Sequence, residues 1–230
     1  MQRRPDAEEV RRSRDFYDWW APFYDGTNWF AAWIRGASDS GERRKAVERL
    51  ELGAGMRVLE VSCGTGTNLL LLREAVGEEG LVVGLDVSAG MIERCRRKLR
   101  RNGVRARLVL GDAARLPFLS GSFDAVFHHG GIAEFPDKRT AITEMTRVAR
   151  PGGKVVICDP GLPPDRPARW INRQLLKLQP AYAAPPPVRQ LPSQAQNVRV
   201  SWFRGDAWYM IEFVKRADAD ASFGAPPVEA

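Results

Sequence analysis

The sequence contains few residues of the kinds that build disulfide frameworks or metal sites. Three cysteines (Cys63, Cys95 and Cys158) and two adjacent histidines (His128 and His129) are spread over 230 residues. Cysteines at such wide and irregular spacing match neither a disulfide scaffold nor a zinc-binding pattern. We therefore expect no metal site, and a reducing cytoplasm is the compartment that fits best.

The sequence also lacks a long hydrophobic run. Spanning a bilayer takes about 20 predominantly apolar residues, and no stretch of this chain comes near that length. Residues 1–6 are basic but carry no apolar segment of the secretory type. We expect a cytoplasmic protein, whose contact with a membrane, if it has one, is peripheral and on the inner face.

Positive charge is in excess, with a formal net charge of +7. Such a charge favours an anionic partner, whether nucleic acid, a membrane surface or an acidic substrate, although arginines on solvated helix faces would give the same total. Four of the seven tryptophans lie between Trp19 and Trp33, beside the N-terminal arginines. This segment is either a lid over a ligand or a contact with membrane headgroups.

Short apolar strands alternate with amphipathic helices over about 100 residues. The strand patterns are Val58–Val61, Leu81–Leu85, Leu108–Leu110, Phe123–Phe127 and Lys154–Cys158. This alternation predicts a parallel sheet with helices on both faces. Asn197–Phe203 and Ala207–Lys215 alternate like two antiparallel strands around a turn.

Residues 160–196 break the rhythm, because they hold nine of the 16 prolines. Long irregular segments in compact domains are often functional. We expect an insertion that covers the substrate, with a passive connection as the alternative. Residues 217–230 are small and polar, and a disordered tail is expected there.

Acidic residues stand at the ends of three successive strands: Glu60, Asp86 and Asp112. In an open parallel sheet, ligands bind in a crevice outside the carboxyl ends of the strands. These three carboxylates should therefore face the same crevice. Asp86 follows the glycine turn at a distance typical of an acid that binds ribose hydroxyls.

The glycine turn of Gly64 and Gly66 permits close approach of a ligand to the backbone. A dinucleotide fingerprint would place a third glycine where this chain has Leu69, and no lysine of the phosphate-binding type follows. The turn is therefore better suited to a nucleoside without phosphates.

These motifs together resemble the class I S-adenosylmethionine-dependent methyltransferases, most clearly over residues 56–160. The segments that carry the resemblance are Glu60–Gly66, Gly84–Ser88 with Met91, Gly111–Ala113 with Leu116–Phe118, Phe123–Val126 and Arg147–Gly153. The resemblance implies an α/β, Rossmann-like, doubly wound sheet of seven strands, mostly parallel with the last strand antiparallel. It divides the chain into an N-terminal helical lid (1–50), a methyltransferase domain (51–216) and the tail.

The resemblance also implies S-adenosylmethionine as cofactor. Glu60 would support its ammonium end, Asp86 its ribose hydroxyls, and Asp112 with the Ala113 amide its adenine, on which Val87 and Met91 would pack. The complete set of implied cofactor-binding residues is Tyr17, Tyr24, Glu60, Gly64, Thr65, Gly66, Asn68, Asp86, Val87, Met91, Asp112, Ala113 and His128.

The N-terminal stretch Tyr17–Asp25 resembles the opening of the ubiquinone/menaquinone-biosynthesis-like methyltransferases, and some phospholipid N-methyltransferases are similar there. The usual arginine–asparagine segment after the fourth strand is absent, and His128–Ile132 stands in its place. The acceptor could thus be a quinone precursor, an aminophospholipid or a small metabolite. No segment that would grip a flipped base follows the fourth strand, so nucleic acid is an unlikely partner. An RNA methyltransferase and a non-catalytic nucleoside-binding regulator stay as alternatives, and the oligomeric state is open.

Methyl transfer from a sulfonium needs alignment and exclusion of water more than acid–base catalysis. His128, His129 and Tyr24 are the candidate catalytic residues, since a general base is required only if the acceptor is protonated. The alternative is that both imidazoles only shape the pocket.

Overall fold

The computed structural model describes residues 7–20, 39–165 and 185–217. The described helices are α1 (Ala7–Trp20), α2 (Asp39–Glu48), α3 (Thr67–Val76), α4 (Ala89–Arg101) and α5 (Lys138–Val148). The described strands are β1 (Arg57–Val61), β2 (Leu81–Asp86), β3 (Arg107–Leu110), β4 (Phe123–His129), β5 (Ala149–Pro160), β6 (Ala195–Phe203) and β7 (Trp208–Lys215). Short 3₁₀ turns cover Ile132–Glu134 and Val188–Gln190.

The seven strands form one sheet in the order β3-β2-β1-β4-β5-β7-β6. Strands β1 to β5 pair in parallel, whereas β7 runs antiparallel to both of its neighbours, β5 and β6. The expected α/β fold, mostly parallel with an antiparallel last strand, is confirmed. The start of β7 therefore lies at the same edge of the sheet as the ends of β4 and β5.

Hydrophobic cores lie on both faces of the sheet, as the doubly wound prediction requires. Side chains of α5, such as Ile142 and Met145, pack on one face, and side chains of α2, α3 and α4, such as Val47, Leu72 and Cys95, pack on the other. Inner strands buried on both faces read as continuous apolar runs, which explains why their sequences show no alternation.

Local chemistry sets the helix starts. The Ser88 hydroxyl accepts a hydrogen bond from the Met91 N–H at 3.0 Å and caps α4. Asp137 caps α5 in the same way through the Thr140 N–H at 2.9 Å. Helix α3 begins directly after Gly66, which has a positive φ of 82°.

Two strands are longer than their apolar patterns. Strand β4 continues through His128 and His129, which pair with Ile157 and Cys158 of β5. Strand β5 runs from Ala149 to Pro160 and so extends beyond the predicted Lys154–Cys158 at both ends. The early start of β5 is a bulge, because the register shifts between Phe123 and Ala125 while Arg150–Gly152 stay exposed.

Several sequence-based expectations fall outside the described residues. They concern Tyr24, most of the tryptophan-rich N-terminal segment, residues 166–184 of the proline-rich segment and the tail beyond residue 217. The described helices include none that is long and apolar enough to cross a membrane.

Candidate functional site

The glycine turn joins β1 to α3 at the carboxyl edge of the sheet. Gly64 and Gly66 have φ angles of 53° and 82°, in the left-handed region that favours glycine. A Cβ atom on Gly66 would lie 2.4 Å from the Cys95 sulfur of α4. The turn is therefore packed directly against the neighbouring helix, and both glycines are required for its shape.

Asp86 ends β2 and reaches across to this turn. Its carboxylate accepts hydrogen bonds from the Gly64 N–H at 2.8 Å and from the Ser88 N–H at 3.0 Å. Burial raises the pKa of Asp86, and the backbone N–H groups partly oppose that shift. The carboxylate is thus held at the turn, where the resemblance places the ribose.

Glu60 lies in β1 and is only 1% exposed. Its Oε1 accepts a hydrogen bond from the Asn68 amide at 2.6 Å, and its Oε2 is buried without a hydrogen-bond partner among the described residues. Burial raises the pKa of Glu60 to about 8, opposed by Asn68 and by the positive charge of Arg43. An unpartnered buried carboxylate oxygen can accept a hydrogen bond from a cationic ligand group at little further cost.

A pocket partly open to solvent lies between the ends of β2 and β3 and the start of α5. Three sequence-predicted residues line it: Val87, Asp112 and Ala113. Asp112 accepts a hydrogen bond from the Ala114 N–H at 2.9 Å, which orients its carboxylate. The lining combines apolar side chains with acidic ones, which suits a heterocycle that carries an amino group.

The pocket also contains residues that the sequence did not reveal, among them Ser62, Phe135 and Asp137. Its lining does not include Met91, which is buried on α4. Phe135 follows a short 3₁₀ turn, and no periodic pattern marks it. Only the return of the chain from β4 to α5 brings it opposite Val87.

His128 is fully buried at the carboxyl end of β4. Its Nδ1 lies 3.0 Å from the Val61 carbonyl oxygen, and its ring meets the Phe135 ring edge-on at 5.3 Å. Its Nε2 has no hydrogen-bond partner among the described residues. Burial lowers the pKa of His128 to about 4, so the imidazole is neutral at pH 7 and a weak base.

His129 is also buried, but among different partners. Its ring stacks on Trp208 at 4.8 Å, and its Nδ1 lies 3.4 Å from the Arg43 guanidinium. Its Nε2 likewise has no partner within the described part of the chain. Burial, followed by the charges of Arg43 and Arg204, holds the pKa of His129 well below its ordinary value.

Arg43 and Asp18 also contribute to the site, although neither was among the site residues predicted from the sequence. Arg43 of α2 donates to the Asn68 side chain at 2.9 Å, which extends the Glu60–Asn68 pair toward His129. Asp18 of α1 accepts hydrogen bonds from the Ser88 hydroxyl and the Gly90 N–H, and so attaches α1 to the start of α4. Both are charged residues on polar helices, where only the tertiary structure shows which charges have a partner.

The remaining predicted residues divide into two groups. Asn68 and Thr65 lie buried beside the turn, and the Lys98 ammonium donates to the Thr65 hydroxyl at 2.9 Å. Tyr17 lies in α1, but its side chain is outside the described residues, as is all of Tyr24.

The residues present fit S-adenosylmethionine. The unpartnered Oε2 of Glu60 suits the ammonium group, Asp86 beside the glycine turn suits the ribose, and the Val87–Asp112–Ala113 pocket suits the adenine. The described residues include no group of three or more side chains able to hold a metal ion.

Comparison with known proteins agrees with this geometry. Residues 58–153 match the family model described as a methyltransferase domain. A demethylmenaquinone methyltransferase of Oceanobacillus iheyensis is 36% identical over 163 residues, which make up 70% of this chain and 66% of the relative. One of Desulfitobacterium hafniense is 37% identical over 138 residues, which make up 58% of this chain and 54% of the relative. The chain thus matches between about half and two thirds of these relatives' length.

A solved structure shares the fold. The S-adenosylmethionine-dependent methyltransferase of Aquifex aeolicus superimposes with a TM-score of 0.55 at 21% identity, over 75% of this chain and 89% of that one. At this identity the likeness concerns the fold alone.

Proposed function

Because residues 58–153 belong to the class I S-adenosylmethionine-dependent methyltransferase domains, we propose that this chain transfers a methyl group to a quinone precursor. The observation that carries the proposal is Glu60, a buried carboxylate with one unpartnered oxygen among the described residues, at the strand end before the glycine turn. Such a group is costly to bury in its ionised form unless a cationic ligand pairs with it.

The cofactor supplies a methyl group on a positively charged sulfur, which is a strong electrophile. In this proposal Glu60 and Asn68 hold the amino-acid end, Asp86 holds the ribose, and Asp112 with Ala113 selects adenine. In this arrangement the acceptor would approach at the carboxyl edge of β1 and β4. Their contribution to rate is alignment in a site that excludes water.

The quinone precursor is favoured among the acceptors because the relatives at 36% and 37% identity are named demethylmenaquinone methyltransferases. Aminophospholipids and small metabolites are the competing acceptors. The chain has His128–Ile132 where the quinone enzymes carry their arginine–asparagine segment, so the acceptor contacts must come from other residues.

The test is a methyl-transfer assay with labelled S-adenosylmethionine. Reduced demethylmenaquinone, phosphatidylethanolamine and bulk transfer RNA are offered in parallel, and the Asp86→Ala variant serves as the inactive control. Label in the quinone supports the proposal. Label only in the phospholipid or the RNA contradicts the acceptor, and cofactor binding without transfer to any acceptor indicates a nucleoside-binding regulator.

A lipid-soluble acceptor would bring the protein to a membrane surface, and we propose peripheral contact with anionic lipids. Four exposed arginines of α4 support this: Arg96, Arg97, Arg100 and Arg101. Clusters of this kind bind anionic headgroups at about 1 kcal/mol per charge. Co-sedimentation with phosphatidylglycerol vesicles, but not phosphatidylcholine vesicles, is expected. Replacing the four arginines by glutamine should abolish it while leaving cofactor binding intact, and equal binding to both vesicles would contradict the proposal.

A further inference from the structure

An open groove of about 580 Å³ lies at the amino ends of β2 and β3. Residues at the starts of these strands line it, whereas residues at the ends of the same strands line the pocket assigned to adenine. A strand rises about 3.3 Å per residue, so the length of β2 separates the two sites by about 15 Å. The groove is therefore distinct from the candidate cofactor site.

The lining of this groove is basic. Residues 94–107, which cover the later part of α4, the turn after it and the first residue of β3, contain eight arginines and lysines and no acidic residue. No aspartate or glutamate is among the described residues that line the groove. We refer to it as the arginine groove, after the five arginines in its lining: Arg73, Arg96, Arg100, Arg105 and Arg107.

The turn after α4 brings arginines of two elements together. The Val104 N–H donates to the Leu99 carbonyl at 3.0 Å, and Gly103 has a φ of 64°, as is common where a helix ends. The chain turns back directly after α4 and enters β3. Arg100 of α4 and Arg107 of β3 thus line the same groove although they belong to different elements.

Arg73 of α3 contributes a fixed charge. Its guanidinium donates to the backbone carbonyl of Arg105 at 2.8 and 3.0 Å, and to those of Gly77 and Gly80 at 2.6 and 2.9 Å. These acceptors are neutral, so none of these hydrogen bonds supplies a counter-charge. The bonds also hold the guanidinium in place, which reduces the entropy lost when an anion binds.

The other arginines of the groove have weak partners or none. Arg100 and Arg107 are exposed, and the side chain of neither makes a hydrogen bond or an ion pair with the described residues. The remaining two pair with exposed glutamates, as Arg96–Glu93 and Arg105–Glu78. Exposed pairs of this kind contribute little, so they oppose the binding of another anion only weakly. Three guanidiniums thus have no carboxylate partner among the described residues.

A phosphate group suits this lining better than a carboxylate. The N–H groups of a guanidinium form a planar fork that binds two phosphate oxygens at once. Three guanidiniums without a counter-charge favour a ligand with more than one negative charge. Phosphate monoesters carry such a charge near pH 7, and so do diphosphates, whereas a single carboxylate does not. The volume of the groove is in the range of small-molecule sites.

We propose that the arginine groove binds a phosphate group with more than one negative charge, at a site separate from the cofactor. The group belongs either to a soluble diphosphate or monoester, or to the headgroup of a phosphate-monoester lipid, since both present the same chemistry. This site goes beyond the proposed methyl transfer. It also gives Arg96 and Arg100, two of the arginines proposed to contact membranes, a discrete binding site.

The probe for this site is inorganic pyrophosphate, titrated by calorimetry into the full chain in a buffer without phosphate. Saturable binding of one pyrophosphate per chain is expected. Arg100→Gln and Arg107→Gln should each weaken it about tenfold or more, because hydrogen bonds between charged groups are among the stronger ones. Arg100→Lys keeps the charge without the planar fork, so its affinity should lie between those of Arg100→Gln and the wild type.

Arg101→Gln is the matched control. Arg101 follows Arg100 on α4 and is also exposed, but it does not line the groove. The same loss of one charge should therefore leave the affinity for pyrophosphate nearly unchanged. Binding of S-adenosylhomocysteine shows which variants are folded. If either Arg100→Gln or Arg107→Gln does not fold, the comparison of the other with Arg101→Gln decides.

Vesicles that contain phosphatidic acid, whose headgroup is a phosphate monoester, distinguish the two sources. The chain is sedimented with them in the presence and absence of pyrophosphate. Release by pyrophosphate, with a larger loss of binding in Arg100→Gln than in Arg101→Gln, supports the proposal with a lipid headgroup as the ligand. Saturable pyrophosphate binding without such competition supports it with a soluble phosphate.

Absence of saturable pyrophosphate binding overturns the inference. Equal losses of affinity in Arg100→Gln and Arg101→Gln also overturn it, since they indicate diffuse attraction instead of a site. Binding of vesicles or RNA without binding of pyrophosphate overturns the groove while leaving a basic surface for membranes or nucleic acid. Pyrophosphate binding needs neither cofactor nor methyl acceptor, so its result is separate from that of the methyl-transfer assay.

Discussion

The carboxylate of Asp86 accepts a hydrogen bond from the backbone N–H of Gly64 at 2.8 Å. The acid that ends β2 is thereby joined to the turn that follows β1, and each holds the other in position. A ligand that bonds to Asp86 also meets the backbone of this turn. The cofactor site is thus built across two strands by one contact between a side chain and the main chain.

Replacing Asp86 by alanine should weaken binding of S-adenosylhomocysteine about 10- to 100-fold, since hydrogen bonds to a charged group contribute about 1.5–3 kcal/mol. Titration calorimetry measures the effect. Asp124→Asn is the matched control, because Asp124 accepts from the Arg57 N–H at the opposite end of the sheet. Unchanged affinity in Asp86→Ala would contradict the assigned site.

The pKa of Glu60, about 8 without ligand, predicts how binding depends on pH. Below that value Glu60 is protonated, and pairing with an ammonium group requires the proton to leave. Affinity for S-adenosylhomocysteine should therefore rise between pH 6 and pH 8, by up to about tenfold per unit. Above about pH 8 the ligand's own amino group loses its proton and the gain ends.

Two controls separate this effect from a general response to pH. Glu60→Gln should bind with little dependence on pH over the same range. 5′-Methylthioadenosine, which lacks the amino-acid end, should bind wild-type protein equally well at pH 6 and pH 8. A pH profile that persists in Glu60→Gln would assign the titration to another group.

Gly66→Ala should destabilise the protein in two ways. The residue has a φ of 82°, and its new Cβ would lie 2.4 Å from the Cys95 sulfur. Gly103→Ala is a suitable control because Gly103 has a φ of 64° with no atom within 4 Å of the added Cβ. The control should lose about 1–2 kcal/mol from backbone strain alone.

Urea unfolding should show a larger loss for Gly66→Ala than for Gly103→Ala. Adding Cys95→Ala to the Gly66→Ala variant removes the clashing sulfur, so the double variant should lose less than the sum of the single effects. Equal losses at both glycines would mean that the turn can move away from α4.

Asp159 holds the segment after β4 in place through two hydrogen bonds. Its replacement should therefore destabilise the fold. Its two carboxylate oxygens accept hydrogen bonds from the Gly131 and Ala133 N–H groups, both at 2.7 Å. Asparagine can serve only one of them, so Asp159→Asn should cost about 1–3 kcal/mol of unfolding free energy.

Chemical denaturation measures the cost, with Asp137→Asn for comparison, since asparagine caps a helix about as well as aspartate. Unchanged stability of Asp159→Asn would indicate that water satisfies the second N–H. If Asp159→Asn slows methyl transfer but leaves cofactor affinity unchanged, the segment after β4 contributes to binding of the acceptor.

Much of the fold could be predicted because apolar strands and capped helices carry local signals. Val58–Val61 and Leu81–Leu85 are short apolar runs rich in valine and leucine, typical of buried strands, and Ser88 caps the start of α4. The bounds of β4 were harder, since His128 and His129 do not read as strand residues. Their pairing with β5 is decided by backbone contacts that no local pattern reveals.

The sequence by itself determined the order of strands and helices, the glycine turn and the three strand-end acids, because each depends on neighbours along the chain. Tertiary structure alone decided that Arg43 of α2, Trp208 of β7 and His129 of β4 meet at one edge. Arg43 and Trp208 are 165 positions apart in the chain, and the antiparallel insertion of β7 between β5 and β6 brings Trp208 to this edge. Tautomers and pKa values follow from such contacts, because they depend on which charges and carbonyls surround a buried ring.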